Sequence, residues 1–204
     1  MRNKLTCCAR LRQYFSVGCK ATVGSTFYNM NLELDKLKAD MFSGDYQTVK
    51  NAAETLGRIG GDDVLAFLIS LLKLDDPAIR NRAALALEEI KDNRALDPLL
   101  TAIFKKENHN SNGTMVFALE PLDCRNHLIQ IFKILLFETY ESKLSAYNIL
   151  TDQEFIVTDK DIFEITSMWR KCKLSPKLCP GYDHQETREM MEDAVQRFVA
   201  KETN

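Results

Sequence analysis

Between positions 31 and 105 apolar residues recur every three or four places, the spacing that lays a stripe along one face of a helix. The stripe is written twice. Ala52-Ala53-x-x-Leu56-x-x-Ile59 returns as Ala83-Ala84-x-x-Leu87-x-x-Ile90 at an offset of 31, and Val64-Leu65 and Leu68-Ile69 fall on Ala95-Leu96 and Leu99-Leu100 at the same offset. A repeat of that length, spanning two helices at a time, is the mark of an array of stacked helical hairpins.

Punctuation along the chain gives each helix its limits. Leu32, Leu34, Leu37, Met41 and Phe42 predict a helix over 31–43 that Gly44 stops. Asp45 is placed to cap a second helix, through Ile59, with Val49, Ala52, Ala53, Leu56 and Ile59 as its core stripe. Gly60-Gly61 ends it, and Asp62 is expected to cap a helix over 63–73 that turns Val64, Leu65, Leu68, Ile69 and Leu72 back onto the first. Asp76-Pro77 opens the second hairpin, the proline standing where its missing N–H costs nothing. Ile79, Ala83, Ala86, Leu87 and Ile90 form its core face. After a turn at Asp92-Asn93, the helix over 95–105 buries Leu96, Leu99, Leu100, Ile103 and Phe104 and leaves Asp97 and Thr101 outward, with Pro98 tolerated in its first turn. Ala52, Ala53, Ala83 and Ala84 allow the paired helices to approach closely.

The polar run KKENHNSNGT at 105–114 predicts a loop interrupting the array, the kind of insertion that reaches a functional surface or serves only as a solvated linker. Beyond it a short helix over 115–122 is stopped near Pro121, and one over 125–137 is strongly apolar. Leu128, Ile131, Phe132 and Leu135 fall on Leu96, Leu99, Leu100 and Ile103 at an offset of 32, so a third, diverged hairpin is expected. A fourth begins over 140–150, where Lys143, Ala146 and Leu150 fall on Arg80, Ala83 and Leu87 at an offset of 63. Past Leu150 the pattern fades into a helix over 159–171, a turn-rich stretch over 174–183 and a last helix over 185–201. Met190, Met191, Ala194, Val195 and Phe198 give that helix a stripe read as packing onto the end of the array rather than as an adaptable binding face.

Composition adds one asymmetry. The 204 residues are 45% apolar with a formal net charge of −2, enough to bury a core. Positions 1–29 hold Arg2, Lys4, Arg10, Arg12 and Lys20 and no acid, a charge of +5 that leaves −7 for the rest. This stretch reads as an extension upstream of a start at Met30, as a basic targeting segment, or as a capping element. No apolar segment resembles a secretory signal or approaches the ~20 residues of a membrane span, so a cytoplasmic protein with no membrane partner is expected. The expected organisation is a basic extension over 1–29, a repeat array over 30–157 and a helical cap over 158–204.

Candidate chemistry is sparse. Cys7, Cys8, Cys19, Cys124, Cys172 and Cys179 lack regular spacing and read as reduced thiols. Cys172-x6-Cys179-x4-His184 offers three ligands, but structural zinc favours closer cysteine pairs and a fourth donor, so no metal is expected. Cys7-Cys8 beside basic residues lacks the flanking signal of a lipidation site. Asp62-Asp63 and Asp75-Asp76 stand at helix starts, where acids complement the dipole, and Glu88-Glu89 lies opposite the apolar stripe. Cys124 and His127 are three apart, which alone makes no dyad. Phosphate loops, zincin helices and dinucleotide fingerprints are missing from the sequence, and no catalytic residue or cofactor is expected.

The strings Asp76-Pro77-Ala78-Ile79-Arg80-Asn81-Arg82-Ala83-Ala84-Leu85-Ala86-Leu87 and Asn93-Arg94-Ala95-Leu96-Asp97-Pro98-Leu99-Leu100 resemble HEAT-like repeats of the phycobilisome-lyase type, and 46–60 resembles them through Val49-Lys50-Asn51-Ala52-Ala53 and Leu56-Gly57-Arg58-Ile59-Gly60. The resemblance is good over 46–105 and weaker to about 150. It implies an all-α fold, a right-handed α-solenoid of three to four hairpins with a capping helix at each end, whose second helices line a concave surface. It also implies a protein-binding scaffold or adaptor, with an accessory or toxin-neutralising role as variants and bilin-lyase-like chromophore handling as the alternative. The chain departs from the iron-dependent deoxyhypusine hydroxylases, since none of His109, His127 and His184 precedes a glutamate. It departs from the HEAT-like DNA glycosylases too: Trp169, its one tryptophan, lies outside the repeats, and the acidic 30–204 region argues against nucleic acid as a partner. Helix phase places Ser70, Asp97, Thr101, Gln130 and Lys133 on the outward ridge of the second helices, where another protein is expected to bind.

Overall fold

The structure, a computed structural model, describes residues 23–199, with side chains from 31 onward; the cysteines at 7, 8 and 19 and most of the basic 1–29 stretch lie outside the described residues. The chain divides into two compact units, 1–36 and 37–204. Helix α1 (Val23–Asp40) opens in the first, and everything below concerns the second. Its elements are α2 (Tyr46–Ile59), α3 (Asp62–Leu71), α4 (Pro77–Ile90), α5 (Leu96–Ile103), α6 (Gly113–Phe117), α7 (Leu128–Phe137), α8 (Tyr140–Asp152), α9 (Asp159–Leu174) and α10 (Gln185–Val199), with no strand among the described residues. Helices α2, α4, α6, α8 and α10 pack in succession as one layer. The pairs α2–α3, α3–α4, α5–α6, α7–α8, α7–α9 and α9–α10 pack as well, so α3, α5, α7 and α9 form the second layer of a HEAT-like stack of hairpins.

The first two hairpins form as their caps and small residues dictate. The Asp45 carboxylate accepts from the Thr48 amide at 2.8 Å and its hydroxyl at 2.7 Å, and these bonds hold the Asp45 carboxyl below its ordinary pKa. Asp76 accepts from the amides of Ala78 and Ile79. Gly60 ends α2 at φ 61°, its N–H reaching the Leu56 carbonyl at 2.9 Å, in a left-handed conformation that would strain any residue with a Cβ. Ala52, Ala53, Ala83, Ala84 and Ala86 are buried where α2 meets α4. Gly57 is the closest point, since a Cβ there would stand 3.2 Å from the Ala86 carbonyl oxygen.

Several expected details differ. Ile59 is 54% exposed, because α2 ends there and the chain turns away through Gly60. Asp62 does not cap α3. It is the first helical residue, Gly61 precedes it as the cap, and the Asp62 carboxylate pairs instead with Arg94 at 2.9 Å. Phe104 is exposed just past the end of α5, a helix that starts only at Leu96 because a 3-10 turn over Asn93–Ala95 intervenes. Helix α6 is five residues long and gives way to turns through Leu122, and α7 starts at Leu128, after a turn held by the Asp123–Arg125 pair. The fourth hairpin is complete: Thr158 and Asp161 form a reciprocal capping box at the start of α9.

The largest difference is in the 105–114 insertion, which keeps an exposed surface but sends two asparagines into the core. Asn108 and Asn112 are buried. The Asn108 side-chain amide donates to the Ala102 carbonyl at 2.8 Å, and that of Asn112 donates to the Ile103 carbonyl at 3.3 Å and to Glu138 Oε2 at 2.8 Å. Buried Ser142 donates to Asn112 Oδ1 at 2.7 Å, and His109 Nδ1 lies 2.8 Å from the Glu138 carboxylate. The last carbonyls of a helix have no intrahelical partner, and these asparagines supply one for α5. Lys143 plays the same part for α7, donating to the Leu135 carbonyl at 2.7 Å, and Arg80 donates to the Leu74 carbonyl in the turn after α3 at 2.8 Å. Residues matched at an offset of 63 thus share one structural task.

Candidate protein-binding surface and buried polar cluster

The five ridge positions expected to meet a partner stand on two of the second-layer helices and at the end of a third, and their environments differ. Ser70 is exposed on α3, its hydroxyl donating to the Phe67 carbonyl at 2.6 Å. Asp97 on α5 is 85% exposed at its side chain and lies 3.1 Å from His127 Nε2, which belongs to the residue preceding α7. Thr101 is exposed on α5, and Gln130 is half-buried on α7. Lys133 on α7 pairs with Glu164 on α9 at 3.1 Å. Together with Asp62–Arg94, these pairs form a row of inter-repeat struts, one between each successive pair of second-layer helices. Exposed pairs of this kind contribute little stability individually, about 0–1 kcal/mol. Their effect here is to give Asp97 and Lys133 partners within the chain.

The first-layer helices present a different surface. A cavity of about 630 Å3 runs between α2, α4 and the start of α6, bordered by Phe42, Tyr46, Val49, Ile79, Leu85 and Thr114. Phe42 is 55% and Tyr46 66% exposed. The Arg82 guanidinium stacks on the Tyr46 ring with 4.5 Å to its centroid, orienting both side chains along the wall. Arg82 and Leu85 also border a second cavity of about 340 Å3, which continues along the same two helices past Glu54, Arg58 and Glu89. Asn81 borders the larger cavity, and its Oδ1 is buried without a hydrogen-bond partner among the described residues. A buried amide oxygen left unpaired is costly. Sequence reasoning missed this groove because helix phase assigned Phe42, Val49 and Ile79 to core stripes and gave no role to Tyr46, Arg82 or Leu85.

The far end of the unit holds a buried cluster. Lys143 is 1% exposed, and its ammonium donates to the Leu135 carbonyl and lies 3.8 Å from Met191 Sδ. Burial lowers its pKa to about 8, against the pull of Cys179, Cys172 and Glu138. The Cys172 and Cys179 thiols influence each other's ionisation, the interaction raising the pKa of Cys172 and lowering that of Cys179. Cys179 in turn donates to the Leu136 carbonyl at 2.9 Å. His184 is exposed and stands apart from this pair on the rim of a cavity of about 890 Å3 that Tyr140, Lys143 and Pro180 also line. Among the described residues no three His, Cys, Asp or Glu side chains converge. Cys124 is buried and its thiol is pushed up to about 12, chiefly by desolvation, which makes it a packing residue rather than a nucleophile. Trp169 packs on Tyr182, and Met191, Ala194, Val195 and Phe198 are buried, Phe198 edge-on to Phe132 at 5.4 Å, so the α10 stripe is packing.

The family model of HEAT repeats matches residues 34–111. The matched span takes in α2 to α5 and the insertion that follows, and with the all-helical stack it supports a HEAT-like repeat protein; it does not resolve the phycobilisome-lyase type. No curated protein matches the chain. HEAT repeats generally serve as protein-interaction scaffolds, and no helix among the described residues is long and apolar enough to cross a membrane.

Proposed function

We propose that this HEAT-like repeat protein is a binding scaffold or adaptor that takes an extended segment of a partner protein into the groove between α2 and α4. The observation that carries the reading is the pair of solvent-facing aromatics, Phe42 and Tyr46, bordering one groove with Arg82 and Leu85. An apolar side chain of the segment packs between the two rings. Arg82, already stacked on Tyr46, meets an acidic or carbonyl group of the same segment. A rigid array supports this reading because its surface is formed before binding and loses little freedom on association. The ridge residues Ser70, Asp97, Thr101, Gln130 and Lys133 form a second contact face for a partner that wraps the stack. Asp97 and Lys133 would exchange their internal pairs for partner contacts there.

Affinity capture from lysate with the full chain, a Leu85→Glu variant and an Asp97→Arg/Thr101→Arg variant tests the assignment. The expected result is a stoichiometric partner that Leu85→Glu loses and the ridge variant retains at reduced yield. A partner lost only by the ridge variant moves the docking face to the second layer. No partner with any chain, together with a visible chromophore on the purified protein, would favour cofactor handling instead.

A further inference from the structure

Helix α9, the last of the second layer, has two contrasting faces. Ile162, Ile165, Trp169 and Cys172 are buried against the stack. Phe163, Ser167, Arg170 and Leu174 are exposed, and their spacing of i, i+4, i+7 and i+11 lines them along the other side of the helix. Phe163 is 77% and Leu174 73% exposed, and Leu178, in the 3-10 turn that follows, is 51% exposed. Eleven residues of helix set Phe163 and Leu174 about 16 Å apart. Around Leu174 and Leu178 stand Arg170, Lys171, Lys173 and Lys177, and no acid occurs from 165 to 182, in a chain whose net charge is −2. None of these four cations has an ion-pair partner among the described residues. Lys173 lies instead over the Trp169 ring, 5.6 Å from its centroid. From this arrangement we infer that the outer face of α9 and the turn after it form a surface that seats on an anionic lipid membrane.

A lipid interface answers both halves of that surface. Phe163, Leu174 and Leu178 bury at the boundary between headgroups and acyl chains, while the basic side chains extend to the lipid phosphates. The dipole at a helix C-terminus accounts for lysines in the last turn of α9, but not for large apolar side chains held in water beside them. A soluble polyanion would meet the charges and leave Leu174 and Leu178 exposed. The acids that border this stretch are Glu164, which pairs with Lys133, and Asp183 beyond the turn. Contact of this kind needs no spanning segment, and none exists among the described helices. The expectation of no membrane partner rested on the lack of such a segment, so a peripheral contact departs from it. The groove between α2 and α4 belongs to the first layer, so membrane contact through α9 is independent of the function proposed for that groove.

The test is cosedimentation of the full-length protein with lipid vesicles. Vesicles of phosphatidylcholine containing about one third phosphatidylserine are compared with vesicles of phosphatidylcholine alone. The expected result is binding about tenfold or more tighter on the anionic vesicles, weakening as salt is raised. Arg170→Gln/Lys171→Gln/Lys177→Gln and Phe163→Ser/Leu174→Ser are each expected to weaken it about tenfold or more. Both variants should keep the melting temperature of the wild type, because every side chain replaced is exposed. Absence of sedimentation with the anionic vesicles would overturn the assignment. Undiminished binding by the charge variant would overturn it too and give the binding to the basic 1–29 stretch. Loss in the charge variant with the apolar variant unaffected would also overturn it, leaving a soluble polyanion as the ligand of this face.

Discussion

The first two hairpins and the two that follow share one architecture and hold it by different means. From α2 to α5 the helices meet through alanines and Gly57, and aspartates cap the first helix of each hairpin. From α6 to α9 the same two-layer packing carries a short α6, a buried Asn112–Glu138–Ser142 network and a buried lysine. Close backbone approach leaves little room for polar side chains. In the second half polar groups enter, and each must be satisfied because an unpaired one costs more than a lost contact. Divergence of a repeat therefore shows as substitution of hydrogen bonds for small-residue contact.

Breaking the two halves separately sharpens the contrast. The largest effect is expected at Asn112. Asn112→Ala takes its amide donor from the Glu138 carboxylate, leaving His109 beside it, and removes the partners of the Ile103 carbonyl and the Ser142 hydroxyl, and should cost roughly 3 kcal/mol in urea unfolding. In the first half, Ala83→Leu should cost about 1–3 kcal/mol by overpacking, and Gly57→Leu should behave alike because Ala86 is already within contact distance of any Cβ. Asp76→Ala should cost about 1 kcal/mol, the usual worth of an N-cap. The smallest change is expected at Asp45, whose folded pKa lies below 3.8. Its contribution is fully present above the unfolded value and is lost as pH falls through the lower folded one, so the stability difference between wild type and Asp45→Ala should close only under strongly acid conditions. A difference that persists there would mean the carboxylate is not the cap.

The repeats were legible in the sequence because Ala52–Ile59 and Ala83–Ile90 repeat a pattern that only stacked helices use. Even Lys143 was signposted by its alignment with Arg80. The buried role of the 105–114 run was not legible, since asparagines that cap a neighbouring helix from inside the core read the same as asparagines in a solvated loop. Ridge positions such as Asp97 and Lys133 could be placed outward by helix phase, but their contacts with His127 and Glu164 depend on how far one repeat rotates on the next. Nor does phase reveal a groove: Phe42, Asn81 and Leu85 come together only once α2 and α4 are packed.

Hydrogen exchange on the complex with the captured partner tests the central claim most directly. The account predicts slowed exchange concentrated in 42–54 and 78–89, along the facing sides of α2 and α4, with α3 and α5 changed less. Protection confined to 66–73, 97–104 and 129–137, with α2 and α4 unchanged, would contradict it and return the docking face to the ridge.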